Sequence, residues 1–163
     1  MPRRSVLATL TALFTPLLAP RAAEAASAAS DPKWQLSDAQ WKQRLSPAAY
    51  QVLRKEGTER PFSSPLNAEK RAGTFHCAGC DLPLFSSKAK YDSGTGWPSF
   101  WQPLANAIGT KVDFKLIVPR TEYHCSRCGG HQGHVFGDGP KPTGKRYCNN
   151  GVALSFKPNP QNS

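Results

Sequence analysis

The chain has 163 residues, of which 39% are hydrophobic and 20% are charged, and its formal net charge is +10. This length permits one domain with a real core, and the near-average apolar content excludes collagen-like, coiled-coil and fully disordered chains. The positive charge fits an ordinary solvated surface as well as a surface that binds nucleic acid or an anionic layer, so charge alone identifies no partner.

The first 25 residues have the pattern of a secretory signal peptide. Arg3 and Arg4 precede an apolar run from Val6 to Ala19, and Ala23-Glu24-Ala25 places small residues around a cleavage position. The run is too short for a permanent membrane span. We expect export, into the periplasm of a bacterium, by the general secretory route or, given the adjacent arginines, by the twin-arginine route.

Residues 1–25 carry three arginines and one glutamate, so their removal leaves a net charge of +8. We expect residues 26–33 to form a flexible leader, residues 34–158 to form one domain, and residues 159–163 to form a short tail. No segment after the leader is apolar enough to cross a membrane, so no membrane span is expected.

Two short helices are predicted at the start of the domain. Ser37-Asp38-Ala39-Gln40 has the pattern of a capping box, with Trp41 and Leu45 on one face of the turns that follow. Ser46-Pro47 predicts a second helix, with serine as N-cap and proline at the first position, and Gly57 ends it.

Short strands are predicted through the rest of the chain, because β-branched and alternating residues occur there in short runs between proline, glycine and asparagine. The predicted strands are Gly73 to Cys77, Lys111 to Val118, Thr121 to Cys125 and Gly151 to Phe156. The predicted fold class is therefore mainly β, an antiparallel domain preceded by two helices.

Four of the five cysteines form two C-x-x-C pairs, Cys77-Ala78-Gly79-Cys80 and Cys125-Ser126-Arg127-Cys128. Each pair lets two thiolates face one ion from a tight turn, and two pairs complete a tetrahedron. Two disulfides are the competing interpretation, because the export compartment oxidises thiols. The paired spacing favours one structural Zn²⁺, a closed site that braces the fold and performs no chemistry.

Cys148 is left without a partner in this pattern. A lone cysteine is commonly a small buried hydrophobic residue. Arg146, however, lies on the same face of an extended segment, and a nearby cation favours the thiolate. Asn149, Asn150 and Gly151 make the surroundings polar and turn-like. Cys148 is therefore the candidate for a nucleophile.

His131 and His134 lie in a glycine-rich segment directly after the second cysteine pair. They are either surface residues or spare metal ligands, or, because four cysteines already fill a zinc shell, imidazoles free to donate hydrogen bonds or protons. Trp97 is flanked by turn residues, and its indole is either part of the core or a wall for an apolar ligand group.

The chain from about Trp34 to Phe156 resembles the methionine sulfoxide reductase B family, the peptide-methionine (R)-S-oxide reductases. The matching blocks are Phe75-His76-Cys77-Ala78-Gly79-Cys80, Tyr91-Asp92-Ser93-Gly94, Gly96-Trp97-Pro98-Ser99-Phe100, Cys125-Ser126-Arg127-Cys128-Gly129-Gly130-His131, Gly133-His134-Val135-Phe136 and Arg146-Tyr147-Cys148. These blocks occur in order over most of the predicted domain. The resemblance implies two antiparallel sheets packed as a small β barrel or tent, with zinc holding one end.

The resemblance also implies a set of site residues: for catalysis Cys148, His131, His134, Arg146, Asn150 and Asp138, and for substrate binding Trp97 and Phe136. In this scheme the Cys148 thiolate attacks the sulfur of methionine-R-sulfoxide in a protein or peptide. His131 and His134 act on the sulfoxide oxygen, and Asp138 and Asn150 orient them. Methionine leaves, and the cysteine becomes a sulfenic acid.

Many family members carry a second, resolving cysteine where this sequence has Thr95. With four cysteines committed to zinc, no thiol remains to resolve Cys148 within the chain. We therefore expect an external thiol reductant, such as a thioredoxin-like protein, to recycle it.

Two other classes of function are open from the sequence. A zinc-ribbon module that binds nucleic acid accounts for the cysteine pairs and the charge, but it gives no reason for export or for Cys148 beside Arg146. A non-catalytic exported zinc-binding module predicts that Cys148 is buried and inert. We expect the enzyme, acting as a monomer with no nucleic-acid partner.

Overall fold

The computed structural model describes residues 32–160. The signal peptide predicted at residues 1–25, residues 26–31 of the leader and residues 161–163 of the tail lie outside the described residues, so these assignments stay predictions. Within residues 32–160, every helix is too short or too polar to cross a bilayer.

Helix α1 (Asp38–Arg44) begins at the capping box that the sequence predicts. The backbone N–H of Gln40 donates to Ser37 Oγ at 3.3 Å, and the backbone N–H of Ser37 donates to Gln40 Oε1 at 2.8 Å. Each bond satisfies an amide that the first turn of a helix leaves unpaired. Trp41 is buried on the inner face of the helix, as predicted.

Helix α2 (Pro47–Lys55) also begins as predicted, with Ser46 as N-cap and Pro47 at the first position. Its buried face packs on the sheets below through Tyr50, Val52 and Leu53. The helix ends at Glu56, which has φ 54° and therefore adopts the left-handed conformation one residue before the predicted stop.

Nine strands form two antiparallel sheets. The strands are β1 (Gly73–Cys77), β2 (Pro83–Ser86), β3 (Lys90–Tyr91), β4 (Ser99–Phe100), β5 (Ile108–Asp113), β6 (Arg120–Cys125), β7 (His131–Phe136), β8 (Arg146–Asn149) and β9 (Leu154–Pro158). The smaller sheet has the order β2-β1-β9, and the larger has the order β3-β4-β8-β7-β6-β5. The mainly β class with two sheets is confirmed, and among the described residues the sheets are open and form no closed barrel.

Two of the predicted strands are partly wrong. The strand predicted over Lys111–Val118 ends at Asp113 in the structure, and residues 114–119 form the turn of the β5–β6 hairpin. The turn exposes Phe114, Leu116, Ile117 and Val118, whose apolar character mimics a strand in the sequence. In the strand predicted over Gly151 to Phe156, the first three residues, Gly151–Ala153, form a short 3₁₀ helix, and β9 begins after them.

An aromatic core joins the two sheets. Phe85 stacks on Phe100 with ring centroids 4.2 Å apart, Phe75 meets Phe100 edge-on at 5.0 Å, and Phe85 meets Tyr123 at 6.0 Å. All four side chains are fully buried. Aromatic pairs in such geometries contribute about 0.5–1.5 kcal/mol beyond their buried area, so this cluster holds the sheets in a defined packing.

Strand β8 lies in the interior of the larger sheet, and this position fixes the surroundings of Cys148. Cys148 pairs with Ser99 of β4 on one side and with His134 of β7 on the other. A side chain at Gly133 would place its Cβ 1.8 Å from the carbonyl oxygen of Cys148. Only glycine therefore allows β7 to approach β8 this closely.

Candidate functional site

Cys148 is half-buried and opens into a cavity of about 120 Å³. The cavity is lined by Thr58, Trp97, Arg120, Gly133, His134, Phe136, Cys148, Asn149 and Asn150. The structure thus brings together five of the eight residues that the resemblance assigns to catalysis and substrate binding. Of the other three, His131 lies against His134 and Arg146 lies against Phe136. Asp138 pairs with Arg146.

Burial raises the pKa of the Cys148 thiol above its ordinary value of 9.0. The positive charge of Arg146 and a hydrogen bond from the Thr95 hydroxyl both act in the opposite direction, but burial outweighs them. Arg146 favours the thiolate, as the sequence predicts. The position of Cys148 between two strands removes hydration from the thiolate, and this effect is not visible in the sequence.

We therefore expect alkylation of Cys148 by iodoacetamide to be slow at neutral pH and to accelerate as pH rises toward and beyond 9, because only the thiolate reacts. Replacing Arg146 by methionine removes the cation and should lower the rate at pH 8 by roughly tenfold, the effect of one pKa unit. The measurement is the modification rate against pH, followed by mass spectrometry. A pH-independent rate would contradict this assignment.

His134 is held by a residue that the sequence analysis did not identify. Its Nε2 lies 2.7 Å from Oδ2 of Asp113, the last residue of β5. Because the carboxylate can only accept, Nε2 carries the proton of the neutral ring. Burial lowers the pKa of His134, and the bond to Asp113 raises it by less, so the ring is neutral near pH 7.

Asp113 is itself fixed by several donors. The backbone N–H of Lys115 donates to Oδ1 at 2.9 Å, and Arg120 Nη2 donates to Oδ2 at 2.7 Å. These bonds, with that to His134, hold the pKa of Asp113 well below its usual range. The turn of the β5–β6 hairpin therefore presents a permanent carboxylate to the histidine in the cavity.

His131 is fully buried beside a second carboxylate, Glu122 of β6. Its Nδ1 lies 2.7 Å from Glu122 Oε1, and its ring centroid lies 5.4 Å from that of His134. Burial alone raises the pKa of Glu122, but hydrogen bonds from His124 and His131 outweigh burial and lower it to about 2. The Nε2 of His131 is buried and has no hydrogen-bond partner within residues 32–160.

Asp138 and Asn150, which the resemblance assigns to orienting the histidines, hydrogen-bond to other groups in the described part of the chain. Asp138 accepts two hydrogen bonds of 2.8 Å from the guanidinium of Arg146, which lies across the β7–β8 pairing from Phe136. A carboxylate and a guanidinium pair through two parallel hydrogen bonds, an arrangement that an imidazole does not offer to a carboxylate. The same guanidinium lies over the Phe136 ring at 4.3 Å, which holds this wall of the cavity in place.

Asn150 is committed to backbone groups on either side of it. Its Nδ2 donates to the carbonyl of Gln132 at 2.9 Å, and its Oδ1 accepts from the N–H of Glu59 at 3.0 Å. Asn150 therefore joins β7, the chain after Cys148 and the loop after α2. Asn150 is therefore part of the cavity wall. The two histidines are hydrogen-bonded to Asp113 and Glu122 instead.

Trp97 is held in place by a hydrogen bond to the same loop after α2. Its Nε1 donates to the carbonyl of Glu59 at 3.1 Å, while the Glu59 carboxylate accepts from the backbone N–H groups of Gly151 and Val152. The indole is half-buried and forms part of the cavity wall. Glu59 thus ties the Trp97 wall to the segment that follows the cysteine, although nothing in its sequence context indicates this.

The four remaining cysteines form one cluster. The Sγ atoms of Cys77, Cys80, Cys125 and Cys128 all lie within 4.8 Å of one another, and all four residues are buried. The Sγ atoms of Cys77 and Cys128 are 3.7 Å apart, and those of Cys80 and Cys125 are 3.4 Å apart. A disulfide needs about 2.05 Å, whereas a zinc tetrahedron with Zn–S bonds of about 2.3 Å separates its sulfurs by nearly 4 Å. The donor set therefore fits one metal ion held by four thiolates.

Positive side chains hold the two turns that carry these cysteines. Arg44 Nε donates to the carbonyl of Gly79 at 2.7 Å, Arg54 Nη1 donates to that of Cys128 at 3.0 Å, and Arg127 Nη1 donates to that of Cys80 at 3.1 Å. Arg44 and Arg54 come from α1 and α2. The helices predicted at the start of the domain thus brace the metal-binding turns.

Of the residues that position the site, Asp113, Glu122 and Glu59 were missed from the sequence. One signal was present: Glu122 and His134 are paired residues of adjacent strands β6 and β7. If the strand pairing of β5, β6 and β7 had been predicted, it would have placed the carboxylates of Asp113 and Glu122 beside the two histidines of β7. The predicted strand through Val118 put the turn in the wrong place and hid this arrangement.

Comparison with known proteins agrees with this geometry. A family model described as the SelR domain matches residues 45–158. A peptide methionine sulfoxide reductase MsrB of Pseudomonas entomophila is 55% identical over 120 residues, which cover 73% of this chain and 92% of the relative. The chain belongs to the methionine sulfoxide reductase B family.

Other members of the family come from distant organisms. The peptide methionine sulfoxide reductase MsrB of Methanosarcina barkeri is 52% identical over 122 residues, covering 74% of this chain and 86% of the relative. The chloroplastic peptide methionine sulfoxide reductase B1 of Arabidopsis thaliana is 51% identical over 122 residues, covering 74% and 60%. The resemblance noted in the sequence is thereby confirmed at the level of the family.

Proposed function

We propose that this protein is an oxidoreductase that reduces methionine-R-sulfoxide in peptides and proteins to methionine. The observation that carries the proposal is a thiol, Cys148, that opens into a small cavity between an indole, Trp97, and an imidazole, His134. This combination supplies a nucleophile for sulfur, an apolar wall for a methyl group and a polar group for an oxygen. Membership of the methionine sulfoxide reductase B family supports the same reaction.

The reaction is a two-electron transfer from one sulfur to another. The Cys148 thiolate attacks the sulfoxide sulfur, which becomes electrophilic once its oxygen is protonated or strongly hydrogen-bonded. The sulfur–oxygen bond of the substrate breaks as the oxygen moves to Sγ of Cys148. The bond between the two sulfurs breaks as well, so methionine leaves with its electron pair and Cys148 is left as a sulfenic acid. Substrate sulfur is reduced, Cys148 is oxidised, and the proton taken from the thiol ends on the transferred oxygen.

The imidazoles provide the polar side of the cavity. His134 faces it directly with Asp113 behind it, and His131 lies next to His134 with its Nε2 buried and without a partner in the described part of the chain. A hydrogen bond from either ring to the sulfoxide oxygen, directly or through water, would assist departure of methionine. Because Nε2 of the neutral His134 ring donates to Asp113, its other ring nitrogen donates to the oxygen only after the ring takes up a proton, a form that the bond to Asp113 favours.

Two groups stabilise the attacking sulfur. Arg146 supplies a positive charge, and Thr95 supplies a hydroxyl hydrogen bond; both lower the pKa of Cys148 against the effect of burial. Asp138 keeps the guanidinium in place. Arg146 thus lowers the energy of the thiolate while it also holds the Phe136 wall.

We assign the cysteine cluster to one structural Zn²⁺. Cys77, Cys80, Cys125 and Cys128 fill a tetrahedral shell, which leaves no open position for substrate. Zinc bound there would fix the two turns and take no part in the sulfoxide chemistry. Gln132 Nε2 donates to Cys77 Sγ at 3.4 Å, the kind of N–H contact that stabilises a metal-bound thiolate.

Recycling then requires a thiol from outside the chain. Thr95 contacts Cys148 but cannot form a disulfide, and the other four sulfurs belong to the metal cluster. An external thiol condenses with the sulfenic acid, releasing water, and a second thiol frees Cys148 from the mixed disulfide. A thioredoxin-like protein or a small dithiol would supply both.

We place this reaction outside the cytoplasm. The support is the sequence of residues 1–25, in which Arg3 and Arg4 precede an apolar run and a small-residue cleavage pattern. A precursor that folds around its metal before export would suit the twin-arginine route. Cleavage and compartment are tested by N-terminal sequencing of the protein recovered from a periplasmic fraction.

The decisive experiment is turnover of the two epimers of a methionine sulfoxide peptide by the zinc-loaded protein with dithiothreitol. If the methyl group faces Trp97 and the oxygen faces the histidines, the S epimer must bury its oxygen on an apolar wall. An unpaired buried polar group costs about 1–3 kcal/mol, so we expect the R epimer to react roughly 5- to 150-fold faster. Equal rates for the epimers, or no turnover of either, would contradict the proposal.

A further inference from the structure

A second and larger cavity, of about 530 Å³, shares Trp97 with the cavity that holds Cys148. Its walls come from the loop that includes residues 62–70, from the segment around β3 and from the turn that carries Trp97. We call it the Phe62 subsite and define it by Phe62, Asn67, Lys90, Tyr91, Trp97 and Pro98. Because one indole contacts both cavities, whatever occupies the first lies next to the second.

Phe62 is held in a backbone conformation that phenylalanine avoids. It has φ 62° and occupies the third position of the turn from Arg60 to Ser63, with Pro61 before it. In turns that need a positive φ at this position, glycine or asparagine is the usual residue, because a Cβ is strained there. The side chain is 74% exposed, so burial in this chain does not compensate for the strain.

Contacts with the Trp97 turn fix the strained residue at the rim of the cavity. The backbone N–H of Phe62 donates to the carbonyl of Gly96 at 2.7 Å. A Cβ on Gly96 would lie 2.9 Å from the Phe62 ring, so the absence of a side chain at Gly96 lets the ring lie against this turn. Strained residues persist where their position serves binding or catalysis.

The floor of the Phe62 subsite is polar. Lys90 Nζ donates to the carbonyl of Asn67 at 2.8 Å, and Asn67 Nδ2 donates to the carbonyl of Gly96 at 2.8 Å. Burial lowers the pKa of Lys90, because the ammonium group loses hydration there. An ammonium has three N–H donors, so Lys90 can also bind a carbonyl oxygen.

We propose that the Phe62 subsite binds the residue of a substrate polypeptide that flanks the oxidised methionine, and that it accepts an apolar or aromatic side chain there. The Phe62 ring covers that side chain, and Lys90 binds a carbonyl of the peptide. An extended chain advances about 3.3–3.6 Å per residue, so a position one or two residues from the methionine reaches across the indole. This inference rests on the proposed reduction of methionine sulfoxide.

The test compares three substrates at the R epimer: a blocked single methionine sulfoxide, a peptide with phenylalanine next to it, and the same peptide with aspartate instead. Wild-type protein should show a lower KM for the phenylalanine peptide than for the other two. In Phe62→Asn, which keeps a residue that tolerates the positive φ, kcat/KM for that peptide should fall about 2- to 10-fold, the range of one aromatic contact. Turnover of the blocked residue should not change.

Thermal unfolding separates this role from a structural one. Because asparagine relieves the strain at this position, Phe62→Asn should have an unchanged or higher Tm. Ile117→Asn, which replaces a fully exposed apolar residue on the β5–β6 turn, is the matched control and should leave kcat/KM for all three substrates unchanged.

Each remaining outcome has a distinct meaning. If the blocked residue is reduced but wild type does not distinguish the two peptides, the subsite is wrong while the reaction is right. An equal loss for all three substrates in Phe62→Asn would also overturn the subsite. If even the blocked residue is not reduced, the proposed function fails, and the subsite fails with it.

Discussion

Replacement of Cys77 by serine should cost the protein most of its stability. Cys77 ends β1 of the smaller sheet and Cys125 ends β6 of the larger sheet, so one ion held between them would connect the two sheets. Structural zinc supplies about 10–16 kcal/mol near neutral pH, as much as the whole stability of a typical domain, about 5–15 kcal/mol. We expect loss of cooperative unfolding in Cys77→Ser and in wild type treated with a strong chelator.

Metal analysis and thermal unfolding measure this effect. Wild type should contain one zinc per chain, and Cys148→Ser, which removes the one thiol outside the cluster, should retain both the metal and the Tm. Purified protein without metal, in which mass spectrometry finds two disulfides among the four clustered cysteines, would refute the zinc assignment.

The second large effect concerns Cys148 itself. Cys148→Ser should reduce the rate of sulfoxide reduction by a factor on the order of 10⁴ to 10⁶, as expected when a covalent nucleophile is removed. Wild type given one equivalent of sulfoxide without reductant should gain the mass of one oxygen atom, trapped by dimedone on Cys148. The reason is that the other four cysteines of the chain are gathered in the metal-binding cluster.

A variant that supplies the missing thiol provides the comparison. The Thr95 hydroxyl lies near enough to lower the pKa of Cys148, so Thr95→Cys should convert the sulfenic acid into an intramolecular disulfide after one turnover. The mass should then fall by two hydrogens instead of rising by one oxygen. An intramolecular disulfide of Cys148 in wild type would contradict this account, because its partner would have to come from the metal cluster.

Local signals in the sequence were sufficient for the helices and the cysteine cluster. A capping box and a serine–proline pair define the starts of α1 and α2 through bonds within four residues, so no tertiary information is needed. The two C-x-x-C pairs predict a tetrahedral donor set by spacing alone, and the structure places their sulfurs together.

The electrostatics of the site could not be predicted in this way. Asp113 meets His134 only because the hairpin turns directly after it, and the apolar residues 114–118 conceal that turn in the sequence. The net effect on the Cys148 pKa depends on burial between β4 and β7, which exceeds the effect of the neighbouring arginine. Pairing across strands and desolvation are properties of the folded chain.

The composition of the hydrophobic core has a consequence for its resistance to oxidation. It is built from phenylalanine, tyrosine, tryptophan, leucine, valine, alanine and buried cysteine, and residues 32–160 contain no methionine. Oxidation turns the apolar thioether of methionine into a polar, chiral sulfoxide and so disrupts a packed interior. The one methionine of the sequence is Met1. Residues 32–160 therefore offer no methionine for the domain to repair in itself, and their packing is not open to damage by methionine oxidation.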